Sequence, residues 1–302
     1  MTSVTTRQAR AGPHVGIAWM LVTGLLFVAV TGIVRYLGSD MPAVQAAFIR
    51  YLFGLGLIAP ILLRLRYNRP SRGKMALYAV RGLFHGLAVM LWFYAMARIP
   101  IAEVTALGYT APIFTTIGAA LFLGERLHAR RIVAVGAGFL GAIVILRPGF
   151  HTIEAGAIAQ LIAAPLFAVS FLIAKKLTRS ESPAVIVAML SIFCTLTLLP
   201  GALLEWRSPT GGELFLLFLT AVFATAGHYT LTRAFEAAPI TVTQPVAFLQ
   251  LVWAALLGLI AFGEPLDPWI FLGGGIVVGA VTYIAHREAV AVGRAQPKPG
   301  PH

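Results

Sequence analysis

Residues 99–127 read IPIAEVTALGYTAPIFTTIGAALFLGERL, and residues 238–266 read APITVTQPVAFLQLVWAALLGLIAFGEPL. In each, a proline opens an apolar run and a Gly-Glu pair closes it: Pro100 and Gly124-Glu125 in one, Pro239 and Gly263-Glu264 in the other. The correspondence extends without a gap over Phe84–Arg147 and Phe223–His286, at a constant offset of 139 positions. The preceding segments match at an offset of 140, where Leu26-Phe27 meets Leu166-Phe167 and Pro60 meets Pro200. A fixed period over so much of a chain marks duplication, and it fixes the frame for every other reading.

The composition says what solvent the two copies face. Of the 302 residues 59% are hydrophobic and 11% charged, where a soluble domain needs roughly 25% charged residues to wet its surface. The formal charge of +12 sits in short gaps between apolar runs, which is a membrane-orientation pattern and argues against nucleic acid as a partner. The lone Cys194 excludes an internal disulfide and a multi-cysteine metal site, and no cofactor or metal is expected.

Ten runs are long enough to cross a bilayer as helices: about 15–36, 43–65, 75–97, 101–123, 130–147, 154–176, 184–205, 213–234, 240–262 and 268–286. They lack the alternation of barrel strands, so the fold class is all-α, a polytopic membrane protein. The first run follows Arg10 and His14 and reads as a span, without a cleavage site before the next one. If residues 1–14 form a cytoplasmic tail, seventeen Lys and Arg fall on the inner side. Only four, Arg35, Arg98, Arg147 and Arg207, fall on the outer side. The positive-inside rule then puts both termini in the cytoplasm of a bacterium, with the spans in its inner membrane. The halves are 15–147 and 154–286, and a tail from 287 to 302, ending in Pro-Lys-Pro-Gly-Pro-His, is expected to be disordered. Because each half has five spans, the second enters the membrane from the opposite side. Two inverted five-helix repeats around a central cavity are a transporter architecture that works by alternating access.

The span count, the paired prolines, Arg50 in the second span and the two Gly-Glu pairs resemble the drug/metabolite transporter superfamily, and within it the EamA-type exporters. The aromatic-rich spans are similar to the YddG-type amino-acid exporters. The resemblance implies a cavity lined by spans 1–4 and 6–9, with spans 5 and 10 at the periphery. It also implies export of amino acids and other metabolites, with drugs or nucleotide precursors as cargo of some members.

The candidate substrate-binding residues follow from helical spacing. Tyr78, His85 and Trp92 recur every seven residues, on one face of span 3; a place for Tyr78 in an interfacial belt is the other reading. His228 in span 8 lies opposite Val89 in the repeat, beside Tyr229, which could instead be the wetter position. Span 4 offers Thr105 and Tyr109, whose repeat equivalents in span 9 are Gln244 and Phe248. Gln244 could equally bond a neighbouring helix. Gln250 and Trp253 point in different directions, so at least one serves packing. Core packing is the more frequent role for Trp19 and Phe27. For Arg50 a structural role is favoured over a substrate carboxylate, since the resemblance makes it family-wide while substrates vary. Arg81 is expected to snorkel to the cytoplasmic interface, and Glu125 and Glu264 to shape the loops at equivalent span ends. Pro112, Pro165 and Pro245 are candidate gating hinges, since each frees a carbonyl four residues earlier.

All eleven acidic residues fall at span ends or in loops. With no carboxylate deep in the membrane to relay protons, gradient-driven facilitation is favoured over proton antiport. The reading is a carrier that exports small metabolites, foremost amino acids with aromatic or apolar side chains, as monomer or homodimer. The second reading is an efflux or uptake carrier for drugs or nucleotide-related metabolites. An enzyme acting on lipid would need an acid–base pair or a metal cluster at one depth, which the histidines do not supply. The inverted duplication argues against a channel. The odd number of spans per half makes one prediction: a tag placed after residue 148 and a tag at residue 302 react with impermeant reagents from opposite sides. Labelling from one side sinks the inverted repeat.

Overall fold

The computed structural model describes residues 13–60, 72–111, 113–114, 117–118, 129–148, 152–177, 180–181, 183–237 and 249–295. Ten α-helices and no β-strand occur among them. The first repeat holds α1 (Pro13–Leu37), α2 (Ala43–Leu57), α3 (Arg72–Met96), α4 (Ile101–Gly108) and α5 (Ala129–Leu146). The second holds α6 (Ala155–Leu177), α7 (Pro183–Leu204), α8 (Gly211–Ala237), α9 (Leu249–Phe262) and α10 (Pro268–Ala295). Each expected span thus has its helix. The Gly124-Glu125 pair, Pro112, Pro239, Gln244, Pro245 and Phe248 lie outside the described residues.

Five stretches are long and apolar enough to cross a membrane by composition: His14–Leu37, Gly73–Met96, Ala155–Ala174, Val185–Leu204 and Gly211–Leu231. Their surroundings agree. Large apolar side chains cover the outside, with Ile260 80% and Val133 72% exposed, while Thr23, Gln45, Arg50, His85, Gln160 and Ser170 are buried. A soluble protein reverses that distribution, and lipid explains it.

The helices pair by a pseudo-two-fold rule that exchanges each with the one five places on. Helix α1 packs on α8, and their counterparts α6 and α3 pack on each other. The pairs α2 with α7, α4 with α9 and α5 with α10 map onto themselves. Each ion pair joins two ends that the expected topology puts on one side of the membrane. Arg147 meets Asp267, Arg35 meets Glu264 and Arg207 meets Glu213 at ends assigned to the outer face, whereas Lys74 meets Glu181 at the inner one.

Glu264 explains the Gly-Glu motif. Helix α9 ends with Gly263 at φ 66°, a left-handed conformation that costs an L side chain about 1 kcal/mol. The amide of Gly263 donates to the Leu259 carbonyl at 3.2 Å, the single bond of the left-handed helix cap, and that of Glu264 reaches back to the Gly258 carbonyl at 2.9 Å. The turn carries the Glu264 side chain across to the other repeat. There its Oε2 accepts from the Ile101 amide, 2.9 Å away, at the N-terminus of α4. Pro100, the N-cap of α4, makes no side-chain cap, so a carboxylate from the opposite half serves that end. Arg35 Nε lies 2.9 Å from the other oxygen, Oε1.

Where helices touch most closely, glycine is the reason. A Cβ on Gly141 would meet the Gly273 carbonyl oxygen at 2.7 Å, and one on Gly273 would meet that of Gly141 at 2.5 Å. The α5–α10 seam is thus backbone against backbone, which places Gly273 of the Gly273-Gly274-Gly275 row at a contact within one chain. A Cβ on Gly82 would reach the Phe193 Cβ at 2.2 Å, bringing α7 hard against α3. That approach covers Arg81, which is 7% exposed and donates to the Ile186 carbonyl of α7 at 3.1 Å. It turns inward instead of snorkelling.

One expectation on helix ends needs correction, at α10. Helix α2 ends at Leu57 with a turn at Ile58, ahead of Ala59 and Pro60, and residues 61–65 of the expected span lie outside the described residues. Pro200, its repeat mate, sits inside a continuous α7, and Pro165 inside α6. Helix α10 runs on to Ala295, so residues 287–295 are helical where a disordered tail was expected. Their Arg, Glu and Ala are good helix formers, and the first proline comes at Pro297.

Gly141→Val should lower stability in detergent by about 1–3 kcal/mol, seen as an earlier thermal unfolding transition. An unchanged melting profile would mean that the α5–α10 seam is looser than described.

Candidate functional site

A cavity of about 220 Å³ lies between the repeats. Among the described residues its lining comes from α1, α2, α3, α4, the turn after α4, α6, α8 and α9, with nothing from α5 or α10. Those two helices pack on each other at the periphery, as the resemblance implied. Helix α7 instead lines a small neighbouring pocket that shares Arg50, Tyr51 and His228.

Two aromatic–imidazole pairs form opposite walls. His85 on α3 meets Phe167 on α6 edge-on at 5.1 Å, and its Nδ1 lies 3.0 Å from Ser170 Oγ. His228 on α8 meets Phe27 on α1 edge-on at 5.3 Å. Phe27 and Phe167 are the residues that the 140-position repeat superposes, so the pseudo-two-fold axis relates the two walls. Phe171 stacks on Phe167 at 5.9 Å with 12° between planes, and Trp92 meets Phe167 edge-on at 6.4 Å. Edge-on and offset contacts suit the charge distribution of the rings and hold them stiffly. The result is a set of flat, pre-oriented apolar surfaces.

Polar groups are few and individually placed. Thr105 Oγ1 donates to the Ile101 carbonyl at 2.8 Å and Thr31 Oγ1 to that of Phe27 at 2.9 Å. These bonds leave the hydroxyl oxygens as acceptors. Gln160 on α6 is 3% exposed, and its Oε1 has no partner among the described residues. Arg50 on α2 is 6% exposed, and neither its Nε nor its Nη1 has a hydrogen-bond partner among the described residues. Its guanidinium carbon lies 4.2 Å from the centre of the Tyr51 ring. No Asp or Glu lines the cavity among the described residues. A lone buried cation with free donors is costly unless something supplies acceptors.

The structure brings together His85, Trp92, Thr105, Tyr109 and His228. Gln244 and Phe248 lie outside the described residues, as do the hinge candidates Pro112 and Pro245. Helix α4 does end at Gly108, the residue whose carbonyl Pro112 was expected to free. Pro165 does not interrupt α6. Tyr78 does not join the site. It is fully buried against Leu177, Ile186 and Met189, because the face it shares with His85 runs past the cavity into the α3–α7 packing. Tyr229 is 61% exposed on the outside, which leaves His228 as the inward member of the pair. Gln250 lines the cavity, whereas Trp253 packs with Val28, Ile101 and Ala254. Phe27, expected in the core, lines the cavity, as does Arg50, expected to be structural. Sequence reading missed Tyr51, Gln160, Phe167 and Phe171. The spacing of Gln160, Ala164, Phe167 and Phe171, four, three and four apart, puts them on one face and was a usable signal.

The EamA-like transporter family model matches residues 14–147 and again 154–285. The chain is 33% identical over 299 residues to a riboflavin transporter of Rhizobium johnstonii, covering 95% of each. It is 28% identical over 279 residues to an S-adenosylmethionine uptake transporter of Rickettsia felis, covering 92% of this chain and 95% of that one. A crystal structure with 18% identity shares the fold at a TM-score of 0.58, over 91% of this chain and 97% of the other.

Phe167 touches Trp92, His85 and Phe171 at once, so Phe167→Ala should weaken ligand binding about tenfold while leaving membrane insertion intact. Titration of purified protein with ligand would check this. Equal affinity would remove the α6 ring wall from the site.

Proposed function

The chain belongs to the EamA-like transporter family, and from that premise we propose that it carries a planar, hydrogen-bonding heteroaromatic metabolite of the flavin class by alternating access. The observation that carries the reading is the cavity: stacked and edge-on rings, several neutral polar groups and one uncompensated guanidinium. Flat rings with a polar edge suit such a surface, because stacking contributes about 1–3 kcal/mol per ring and polar groups set orientation. Riboflavin, named for one relative, is an uncharged fused tricycle with a hydroxylated chain. Thr31, Thr105, His228 and Gln250 stand ready for such hydroxyls.

The same charge balance weighs against two other substrates. S-adenosylmethionine, named for the second relative, is a net cation and would meet Arg50 with no carboxylate to offset it. The amino-acid export expected from the sequence has a similar difficulty at its ammonium group, and neither named relative is an amino-acid exporter. In this reading residues 15–147 and 154–286 are the two moving units, set in a bacterial inner membrane. The tail 1–14 and both termini are cytoplasmic. The Glu264 contacts hold the outer ends of the two units together, and the break in α4 after Gly108 lets the cavity wall bend.

Proteoliposomes loaded with unlabelled riboflavin should take up labelled riboflavin transiently and saturably, a counterflow that only a carrier produces. Excess tryptophan or S-adenosylmethionine should leave that uptake unchanged. Counterflow of tryptophan without riboflavin would overturn the flavin-class reading in favour of amino acids.

A further inference from the structure

We propose that Arg50 and Gln160 together read the cyclic-imide edge of the substrate, its carbonyl, N–H, carbonyl sequence, and so select imide-bearing heterocycles. The proposal rests on the flavin-class reading of the cavity and names the substrate group that the site recognises. Both side chains are more than nine-tenths buried, both line the same cavity, and each presents polar atoms with no partner among the described residues. Arg50 offers two donors, Nε and Nη1; Gln160 offers an acceptor, Oε1.

Chemistry narrows what can satisfy both. Tyr51 covers one face of the guanidinium at 4.2 Å, and a ring-face contact uses the cation's charge but none of its N–H groups. The Nε and Nη1 hydrogens point to different sides of the guanidinium, so each still requires an acceptor of its own, and Gln160 requires a donor. A simple carboxylate serves Arg50 and gives Gln160 nothing. An imide serves both: its N–H donates to Oε1 and a flanking carbonyl accepts from an unpartnered Arg50 N–H. An amino-acid zwitterion also offers an acceptor and a donor, but one amide oxygen is a weak counterpart for a full ammonium beside a guanidinium.

The pair occurs once in the duplicated fold. At the 140-position offset Arg50 corresponds to Leu190 and Gln160 to Met20. Helix α2 of one repeat and α6 of the other supply the two members, so the edge is read across the repeat interface.

The test uses purified full-length protein and quenching of flavin fluorescence on binding. Wild type should bind N3-methylriboflavin, whose imide proton is replaced, at least about tenfold more weakly than riboflavin. Gln160→Ala should bind riboflavin about tenfold more weakly and lose the discrimination. Arg50→Lys, which keeps charge without the fork, should weaken both flavins alike. Equal binding of the two flavins by wild type overturns the proposal, and that comparison needs no variant to fold. Discrimination that survives in Gln160→Ala also overturns it. Uridine and N3-methyluridine, tested as competitors or by calorimetry, separate the two hypotheses. If uridine binds, its methyl form does not and no flavin binds, the flavin reading fails and the imide pair stands. If neither uridine nor flavin binds, both fall.

Discussion

Hydrocarbon offers a peptide group or a guanidinium nothing to bond with, so every polar atom in this bundle must find its partner in protein or in cargo. The carboxylate of Glu264 is the clearest case. One side chain at the end of α9 accepts the Ile101 amide that opens α4 and lies 2.9 Å from Arg35 at the end of α1. It can do so only because Gly263 adopts a left-handed turn that aims it across the repeat boundary. The requirement to satisfy one helix terminus thereby becomes a tie between the halves. At the same face Gln45 of α2 exchanges two bonds with the backbone of Arg207 in the second repeat.

The duplication supplies geometry, and divergence within it supplies chemistry. The crossed packing of α1 on α8 and α6 on α3 places Phe27 and Phe167 on opposite sides of one space, each against a histidine. The histidines are not themselves equivalents, since His228 corresponds to Val89 and His85 to Ala224. The scaffold and the Phe27–Phe167 pair repeat; the histidines, Trp92, Phe171, Arg50 and Gln160 do not. The peripheral pair α5 and α10, joined at Gly141 and Gly273, stays out of the cavity.

Much of this was legible in the chain. His85 and Trp92 stand seven apart and both reach the cavity, because a face two turns long keeps its direction along α3. Tyr78 continues the same row but falls beyond the cavity's end, where Gly82 lets α7 close over it. Arg50 was expected to be structural, and it lines the cavity. A buried arginine can satisfy neighbouring carbonyls or face cargo, and only the positions of those carbonyls decide. Arg81 makes the contrast: similarly buried, it donates to the Ile186 carbonyl, whereas two nitrogens of Arg50 find no partner among the described residues. Gln160 sits in an alanine-rich run of α6, where one amide reads as helix glue.

The amino-acid sequence by itself determined the number of helices, the division into two five-helix halves and the inverted relation between them. Those follow from the length of apolar runs, an odd count per half and charges that must stay in water. Which side of each helix faces lipid and which faces the cavity was decided only by the tertiary structure. In water an amphipathic stripe marks the inward face, but lipid is as apolar as a protein core, so a span can be apolar all round and carry no such mark. The choice falls to glycine contacts, ring packing and a few buried polar atoms, and these exist only once both halves are together.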